Sequence, residues 1–580
     1  MIKQLSRCIR EYKLPSVLTP VLVSLEVVME VFIPFIMGKL IDNGINKGDT
    51  GFVVKTGILL IVLCIFSLFF GAAAGVTAAK ASAGFAKNLR HDMFYRVQGF
   101  SFANIDKFSS SGLVTRLTTD VTNLQNSYQM IIRIAVRSPA MLIFSLVMAM
   151  GINSKISVIF LCVIPLLALG LGLVVKNAHP VFKRVFKTYD KLNGVVEENL
   201  RGIRVVKSFV REKEEEKKFK GVSGTIYNDT RKAENIIAFN APLMQTATYT
   251  CILLIAWFGA NLIVSSGETQ MTTGDLVSVL SYVMQILMNL MMLSMIFVML
   301  TMSKASGERV CEVLSEKSDL TNPAAPLYEV ADGSIDFDGV SFSYSKESPN
   351  FCLKNVNLHI NSGETVGIIG STGASKTTLV QLIARLYDTT EGTVKVGGIN
   401  VKDYDLDTLR NSVAMVLQKN VLFSGTIKDN LRWGKEDATD EEIVKVCKFA
   451  QADAFIREKE EGYDTFIEQG GSNVSGGQKQ RLCIARSLLK SPKVLILDDS
   501  TSAVDTATDA MIRKAFKEYI PETTKIIIAQ RISSIEDADK IIVLDDGGVS
   551  GFGSHEELLE SNSIYREVYF SQKKGGNENE

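Results

Sequence analysis

Thr365-Val366-Gly367-Ile368-Ile369-Gly370-Ser371-Thr372-Gly373-Ala374-Ser375-Lys376-Thr377-Thr378-Leu379-Val380 is the stretch that decides the fold of this chain. The β-branched run 365–369 reads as a buried strand, the glycine-containing turn after it as a loop, and the apolar-periodic residues from Thr377 on as a helix. Strand, loop and helix in this order are the context of a phosphate-binding loop. There, backbone N–H groups of the loop and of the helix N-terminus converge on one spot, and the helix dipole adds partial positive charge. Lys376 supplies a point charge for β- and γ-phosphates, and the Thr377 hydroxyl is suited to magnesium. The pattern G-x-x-x-x-G-K-[ST] is broken once, by Ser375 at its second glycine. Alone, such a stretch is also compatible with a polar strand-to-helix turn.

Composition points to more than one domain and to membrane. The chain has 580 residues, 46% of them hydrophobic, and a formal net charge of zero, with mean hydropathy +0.17. Zero net charge gives no general attraction to nucleic acid. The eight cysteines are scattered without metal-ligand spacing and read as reduced thiols. The four histidines form no cluster, which argues against a zinc site.

The N-terminal half reads as membrane. Residues 1–15 carry Lys3, Arg7, Arg10 and Lys13 among apolar residues, the pattern of an amphipathic helix on the cytoplasmic surface. No small-residue cleavage site follows the next apolar run, so no removable signal peptide is expected. Six apolar runs follow, at about 16–41, 54–78, 133–152, 156–177, 241–265 and 275–303, each near the roughly 20 residues that span a bilayer. Apart from Arg133 and Arg137 at the start of the third span, every arginine before position 310 lies at the N-terminus, after an even-numbered span or after the last, whereas the loops near 42–53, 153–155 and 266–274 lack arginine. The positive-inside rule places both termini in the cytoplasm. The arginine-side segments 79–132 and 178–240 are rich in helix formers and are expected to prolong the membrane helices into the cytoplasm. Each has a break, at Ser109–Gly112 and at Arg201-Gly202, where a short transverse helix could meet a cytoplasmic partner.

Two features inside the spans carry possible chemistry. Glu26 and Glu30 share a helix face in the first span, and intramembrane carboxylates are costly and often functional. They would bind a cationic substrate or a proton, or else face water or a basic partner. A stripe of Met284, Met288, Met291, Met292, Met295, Met299 and Met302 follows one face of the last span. Thioethers adapt to many ligand shapes, so the stripe reads either as an apolar substrate cavity or as helix packing.

After a linker at 316–333 the pattern alternates strand and helix, which predicts an α/β domain with a largely parallel sheet over 334–572, then a polar tail at 573–580. The apolar strand Val494-Leu495-Ile496-Leu497-Asp498-Asp499 ends in acids, the pattern in which the first acid holds Mg²⁺ beside a phosphate loop. Asn473-Val474-Ser475-Gly476-Gly477-Gln478-Lys479-Gln480-Arg481 places glycines and a serine at a helix start, a second anion-binding turn. One site does not need two such turns, but a second subunit's nucleotide would give the extra one a target.

Taken together, these residues resemble an ATP-binding cassette (ABC) exporter half-transporter over nearly the whole chain. The resemblance implies a membrane all-α six-helix transmembrane domain over 1–315, with long cytoplasmic helix extensions, followed by an α/β P-loop ABC nucleotide-binding domain. It implies ATP and Mg²⁺ as cofactors. Tyr344 would stack on adenine; Ser371, Thr372, Gly373, Ala374, Ser375, Lys376, Thr377 and Thr378 would hold the phosphates; and Thr377, Gln418 and Asp498 would serve the metal. Ser475, Gly476, Gly477 and Gln478 are the signature, and Ser502-Ala503-Val504-Asp505 the D-loop. The two cytoplasmic breaks match the family's coupling helices, the second reaching a partner's nucleotide domain.

Three positions depart from the family. Asp499 replaces the catalytic glutamate, so its carboxylate falls roughly 1.5 Å short. A misplacement of about 1 Å from the attacking water can cost on the order of 100-fold. Gln530 replaces the switch histidine and carries no proton at neutral pH. Ser375 is the third. All three fall in one composite site while the signature is intact, as in heterodimeric bacterial multidrug ABC exporters that pair a degenerate with a competent site. The expected chain is therefore one subunit of a plasma-membrane exporter of amphipathic or drug-like compounds. Its partner would be a second half-transporter with the intact glutamate and histidine. The alternatives are a lipid or peptide exporter subunit, or an ATP-binding regulatory or channel-like protein that does not pump.

Overall fold

The computed structural model describes residues 1–345, 350–499 and 504–577, and the chain divides into two compact units. Met1–Gly99 and Ser109–Glu316 form the first; Phe100–Phe108 and Lys317–Glu580 form the second.

Among the described residues the first unit holds six helices long and apolar enough to cross a membrane. The first five runs expected from hydropathy fall inside them, and the sixth, 275–303, begins in the last of them and continues along the helix Thr273–Ser315. Their turns on the arginine-poor side are set by capping residues. Asp49 accepts from the Phe52 N–H at 2.9 Å, Asn153 from Lys155 and Ile156 at 3.1 and 3.2 Å, and Thr272 with Asp275 closes a capping box. The helices Thr50–Gln98, Ser154–Arg201, Glu212–Ala238 and Thr273–Ser315 run far past any span, as their composition predicts.

The first unit's core is apolar and centred on Val23, Val27, Val31, Phe160, Leu167, Ile255, Tyr282, Val283 and Ile286. The Tyr282 hydroxyl, buried there, donates to the Val31 carbonyl at 2.7 Å, so the last span is tied to the first. In contrast, Ile58, Ile61, Ile65, Leu68 and Phe69 of the second span are exposed, an outward apolar face that only lipid or another chain satisfies.

The N-terminus corrects one expectation. Residues 1–15 do not form a single amphipathic helix. The helix Ile2–Ser6 gives way to a tighter turn, Arg7–Tyr12, broken at Arg10 with φ 40°. Arg10 pairs with Asp92 at 2.8 Å, Asn88 donates to the Cys8 carbonyl at 3.0 Å, and Cys8 is buried. These charged and polar groups find protein partners on the helix Thr50–Gln98, and that pulls the segment out of a straight amphipathic helix.

The breaks are short helices. Phe102–Phe108 and Ser110–Thr115 flank Ser109, whose hydroxyl caps the Gly112 N–H at 3.2 Å. Phe102–Phe108 packs with the second unit, where Asp106 accepts from the Tyr387 hydroxyl at 2.7 Å. The second break is the helix Ile203–Ser208, with Val205, Phe209 and Val210 exposed at and beyond its end.

The second unit contains β1 (Ile335–Phe342), β2 (Leu353–Ile360), β3 (Thr365–Gly370), β4 (Glu391–Val396), β5 (Ile399–Asn400), β6 (Val413–Val416), β7 (Gly425–Thr426), β8 (Phe466–Ile467), β9 (Val494–Asp498), β10 (Thr524–Ile528), β11 (Lys540–Asp545) and β12 (Gly548–Gly553). One six-stranded sheet has the order β12-β11-β3-β10-β9-β6, parallel except for β12. A four-stranded antiparallel sheet, β2-β1-β4-β5, lies beside it, and β7 and β8 pair alone. The central strands are buried apolar runs, as a sheet covered on both faces requires. The last helix, Ser563–Asn577, continues into the stretch read as a polar tail.

Candidate nucleotide site

β3 ends at Gly370, and the helix Lys376–Ile383 starts after a turn of five residues. The turn between them needs two residues in left-handed backbone, Gly373 with φ +90° and Ser375 with φ +65°. A side chain at Gly373 would meet nothing within 4 Å, so the loop faces open space there. The Lys376 ammonium donates to the Gly370 and Ser371 carbonyls at 2.8 and 2.9 Å. Burial pulls its pKa down, while Asp499 and Asp498 pull it back up.

The acids come from the end of β9, which β10 separates from β3 in the sheet. Asp498 closes β9, is buried, and accepts from the Thr377 hydroxyl at 3.0 Å. Burial pushes its carboxyl up, against the Thr377 hydrogen bond. A hydroxyl and a carboxylate oxygen side by side, within reach of a loop of N–H donors, are hard oxygen ligands of the kind magnesium takes with nucleotide phosphates. The residues therefore fit Mg·ATP. Thr377 and Asp498 would serve the metal, which neutralises phosphate charge when bound.

Asp499 and Gln530, from adjacent strand ends, are joined. The Gln530 amide donates to Asp499 Oδ2 at 2.7 Å, and the Gln418 amide reaches the same oxygen at 3.4 Å. Thus Gln418 lies beside Asp499 rather than on Thr377 or Asp498 in this arrangement. The Asp499 backbone is left-handed, φ +48°, and its N–H donates to the Ile528 carbonyl at 3.1 Å.

Tyr344 stands half exposed at the edge of the loop. Its hydroxyl is 2.9 Å from the Thr378 hydroxyl, and its ring lies edge-on to Tyr387 with centroids 5.2 Å apart. Ser475 starts the helix Gly476–Leu489 through a reciprocal capping box with Gln478, at 3.3 and 3.0 Å. Ser475 and Gly476 are exposed, away from this chain's phosphate loop residues in every hydrogen bond they make. Of the D-loop, Ser502 and Ala503 lie outside the described residues; Asp505 caps the helix Thr506–Tyr519 through the Thr508 N–H at 2.9 Å.

Three contributors were not legible in the sequence. Tyr387 supports Tyr344 and binds Asp106. The buried Gln480 reaches the Asp499 carbonyl at 3.5 Å. Gln572, from the last helix, brackets Gln530 by donating to its carbonyl at 2.8 Å and accepting from the Ile532 N–H at 2.9 Å. Tyr387 and Gln572 carry no periodicity or motif signal, because each acts across the fold, and Gln480 stands in the signature stretch with nothing there to mark its bond to Asp499.

In the membrane unit, Glu30 takes both of its bonds from Arg137, at 2.7 Å each, and Glu26 lies 3.7 Å from the same guanidinium. Glu26 is buried, with Oε2 unpartnered. Met284, Met288, Met291, Met292 and Met295 are exposed, on the face opposite Tyr282, Val283, Ile286, Leu287 and Leu290. Met299 is half-buried, and the Met302 side chain lies outside the described residues.

Six membrane helices followed by a phosphate loop, an acid-ended strand and a capped signature helix define an ABC transporter subunit. The comparisons agree. Residues 17–291 match the ABC transporter transmembrane region and 353–502 the ABC transporter family. The chain belongs to the ABC transporter family and is a multi-pass membrane protein with a cytoplasmic nucleotide-binding domain of the ATPase type. It is 37% identical, over 97% of each chain, to the uncharacterized ABC transporter ATP-binding protein YfiB of Bacillus subtilis. It is 33% identical to Rv1273c of Mycobacterium tuberculosis, described in the same words, over 99% of this chain and 98% of that one. The solved structure of a bacterial Atm1-family ABC exporter with ATP bound shares the fold, with TM-score 0.81 at 23% identity, covering 97% of this chain and 98% of that one.

Proposed function

We propose that this exporter subunit is the degenerate half of a heterodimer. The observation that carries the reading is the bond between Asp499 and Gln530 at 2.7 Å. Where a general base should face an attacking water, a short carboxylate is held by an amide that takes up no proton at neutral pH. ATP bound on this phosphate loop would be retained and hydrolysed slowly. The Ser475–Gln478 turn, exposed at Ser475 and Gly476, would complete the competent site on the partner, which carries the glutamate and histidine missing here. ATP held at the slow site biases the exporter toward the closed state only as far as its affinities for the two states differ.

The cargo in this reading is amphipathic or drug-like. The methionine face, turned away from its own core, supplies an adaptable apolar wall. Arg137 neutralises Glu30, so any preference for cationic compounds rests on Glu26.

The test is ATP hydrolysis by the chain purified alone and again with a candidate partner half-transporter, each reconstituted in lipid. Negligible turnover alone and robust turnover together is the expected result. Robust turnover alone, or a partner that also lacks the catalytic glutamate, overturns the proposal.

A further inference from the structure

The nucleotide-binding unit has a second concavity at the opposite end of the strands that carry the phosphate loop. β3 and β10 run in parallel with Thr365 beside Lys525 at their starts. The phosphate loop follows the far end of β3, and Gln530 follows the far end of β10. At the near end, between these strands and the helix Thr506–Tyr519, lies a cavity of about 170 Å³. Its charged walls are Arg513, Lys514, Lys517, Lys525 and the single acid Asp537.

The cations are unequally compensated. Arg513 is held by Asp537 at 3.0 Å and by Asp509 at 3.3 Å. Lys514 has only a distant turn-mate, Glu518, at 3.9 Å. Lys517 donates to the Asp537 carbonyl at 3.2 Å, and Lys525 to the Gly363 and Pro521 carbonyls at 3.4 and 3.3 Å. Among the described residues no carboxylate lies within ion-pair distance of Lys517 or Lys525, and Lys525 is only 3% exposed. A buried ammonium ordinarily has an anionic partner, because desolvation costs it several kcal/mol. Here two carbonyls at long range stand in for one.

We propose that this cavity binds a phosphoryl dianion, with Lys525 and Lys517 as its principal ligands. Two ammonium groups with no carboxylate at ion-pair distance among the described residues match two negative charges. The cavity holds the volume of about five or six waters, below the ~300 Å³ of drug-sized sites, so the ligand is inorganic phosphate or the phosphate of a small ester and not a nucleotide. The site is separate from the ATP site, but it is built on the same strand and helix that end in Gln530 and begin at Asp505. Nothing in the degenerate-site reading requires it.

The test uses the full chain in lipid nanodiscs, saturated with a non-hydrolysable ATP analogue and magnesium so that the phosphate loop is occupied. Thermal unfolding is followed against inorganic phosphate, and separately against glycerol phosphate, at constant ionic strength. Both probes are repeated on Lys525→Met and on Lys517→Met, the latter an exposed position that keeps the test alive if the buried substitution misfolds. A saturable upward shift is expected in the wild type, weakened about tenfold or more in affinity by Lys517→Met, with the shift given by the ATP analogue itself unchanged. Phosphate alone acting identifies the free ion as the ligand; glycerol phosphate acting as well or better identifies an ester. No saturable shift from either probe, or a shift that both variants leave intact, overturns the proposal.

Discussion

Asp499 adopts φ +48° and spends one carboxylate oxygen on the amides of Gln530 and Gln418. Lengthening it to glutamate restores reach toward an attacking water but leaves both amides and Ser375 in place. Asp499→Glu is therefore expected to raise ATP hydrolysis by less than about tenfold, well short of the 100-fold or more a positioned base contributes. In the proposed heterodimer, a steady-state assay with the second subunit's site silenced measures this, and a 100-fold rise would show that side-chain length alone was limiting. Ser375 stands in left-handed backbone, φ +65°, which costs a non-glycine residue about 1–2 kcal/mol. Glycine relieves that strain but loses more chain entropy on folding, roughly 0.5–1 kcal/mol. Ser375→Gly should thus stabilise the nucleotide domain slightly, by about 1 kcal/mol at most, seen as a raised Tm without nucleotide. A lowered Tm would mean that the serine side chain holds the loop together.

At the scale of elements, the first and last spans meet through small residues. A Cβ added at Gly274 would collide with the Gly38 carbonyl, and one at Gly38 with the Ser278 hydroxyl. The approach is fixed by Asp42, which accepts from the Gly274 N–H at 2.8 Å and the Thr272 hydroxyl at 2.6 Å. Membrane helices associate through such close packing, since lipid offers no hydrophobic drive between them. Gly274→Leu should force the two helices apart and cost on the order of 1–3 kcal/mol, read as a lower Tm in detergent with ATP affinity retained. An unchanged Tm would place the contact elsewhere. These elements were largely legible in advance, because spans and strands follow local rules. Hydropathy marks a span and alternating patterns mark strands wherever the segment goes. The N-terminal fifteen residues were not, since their turn at Arg10 answers to Asp92 and Asn88, about eighty positions away in the chain.

For the whole molecule, the cavity question turns on charge. Arg137 compensates Glu30 fully and Glu26 only at 3.7 Å. If Glu26 reads cationic cargo, Glu26→Gln should raise the KM for an amphipathic cation several-fold while leaving an uncharged analogue of the same ring system unchanged. Vesicle transport with the assembled exporter reports both. Equal losses for the two compounds would show that Glu26 serves packing only.

By itself the sequence determined the family, the six spans, the inward side of the membrane and the order of the nucleotide motifs, because each is a local pattern of hydropathy, charge or spacing. It also marked Asp499, Gln530 and Ser375 as departures. Only the tertiary structure decided that Asp499 and Gln530 bond each other, that Glu30 is spent on Arg137, that the methionines turn away from their own core, and that Lys525 is buried with no carboxylate at ion-pair distance among the described residues. Each of those facts is a distance between residues far apart in the chain, and such distances are set by packing rather than by any pattern along it.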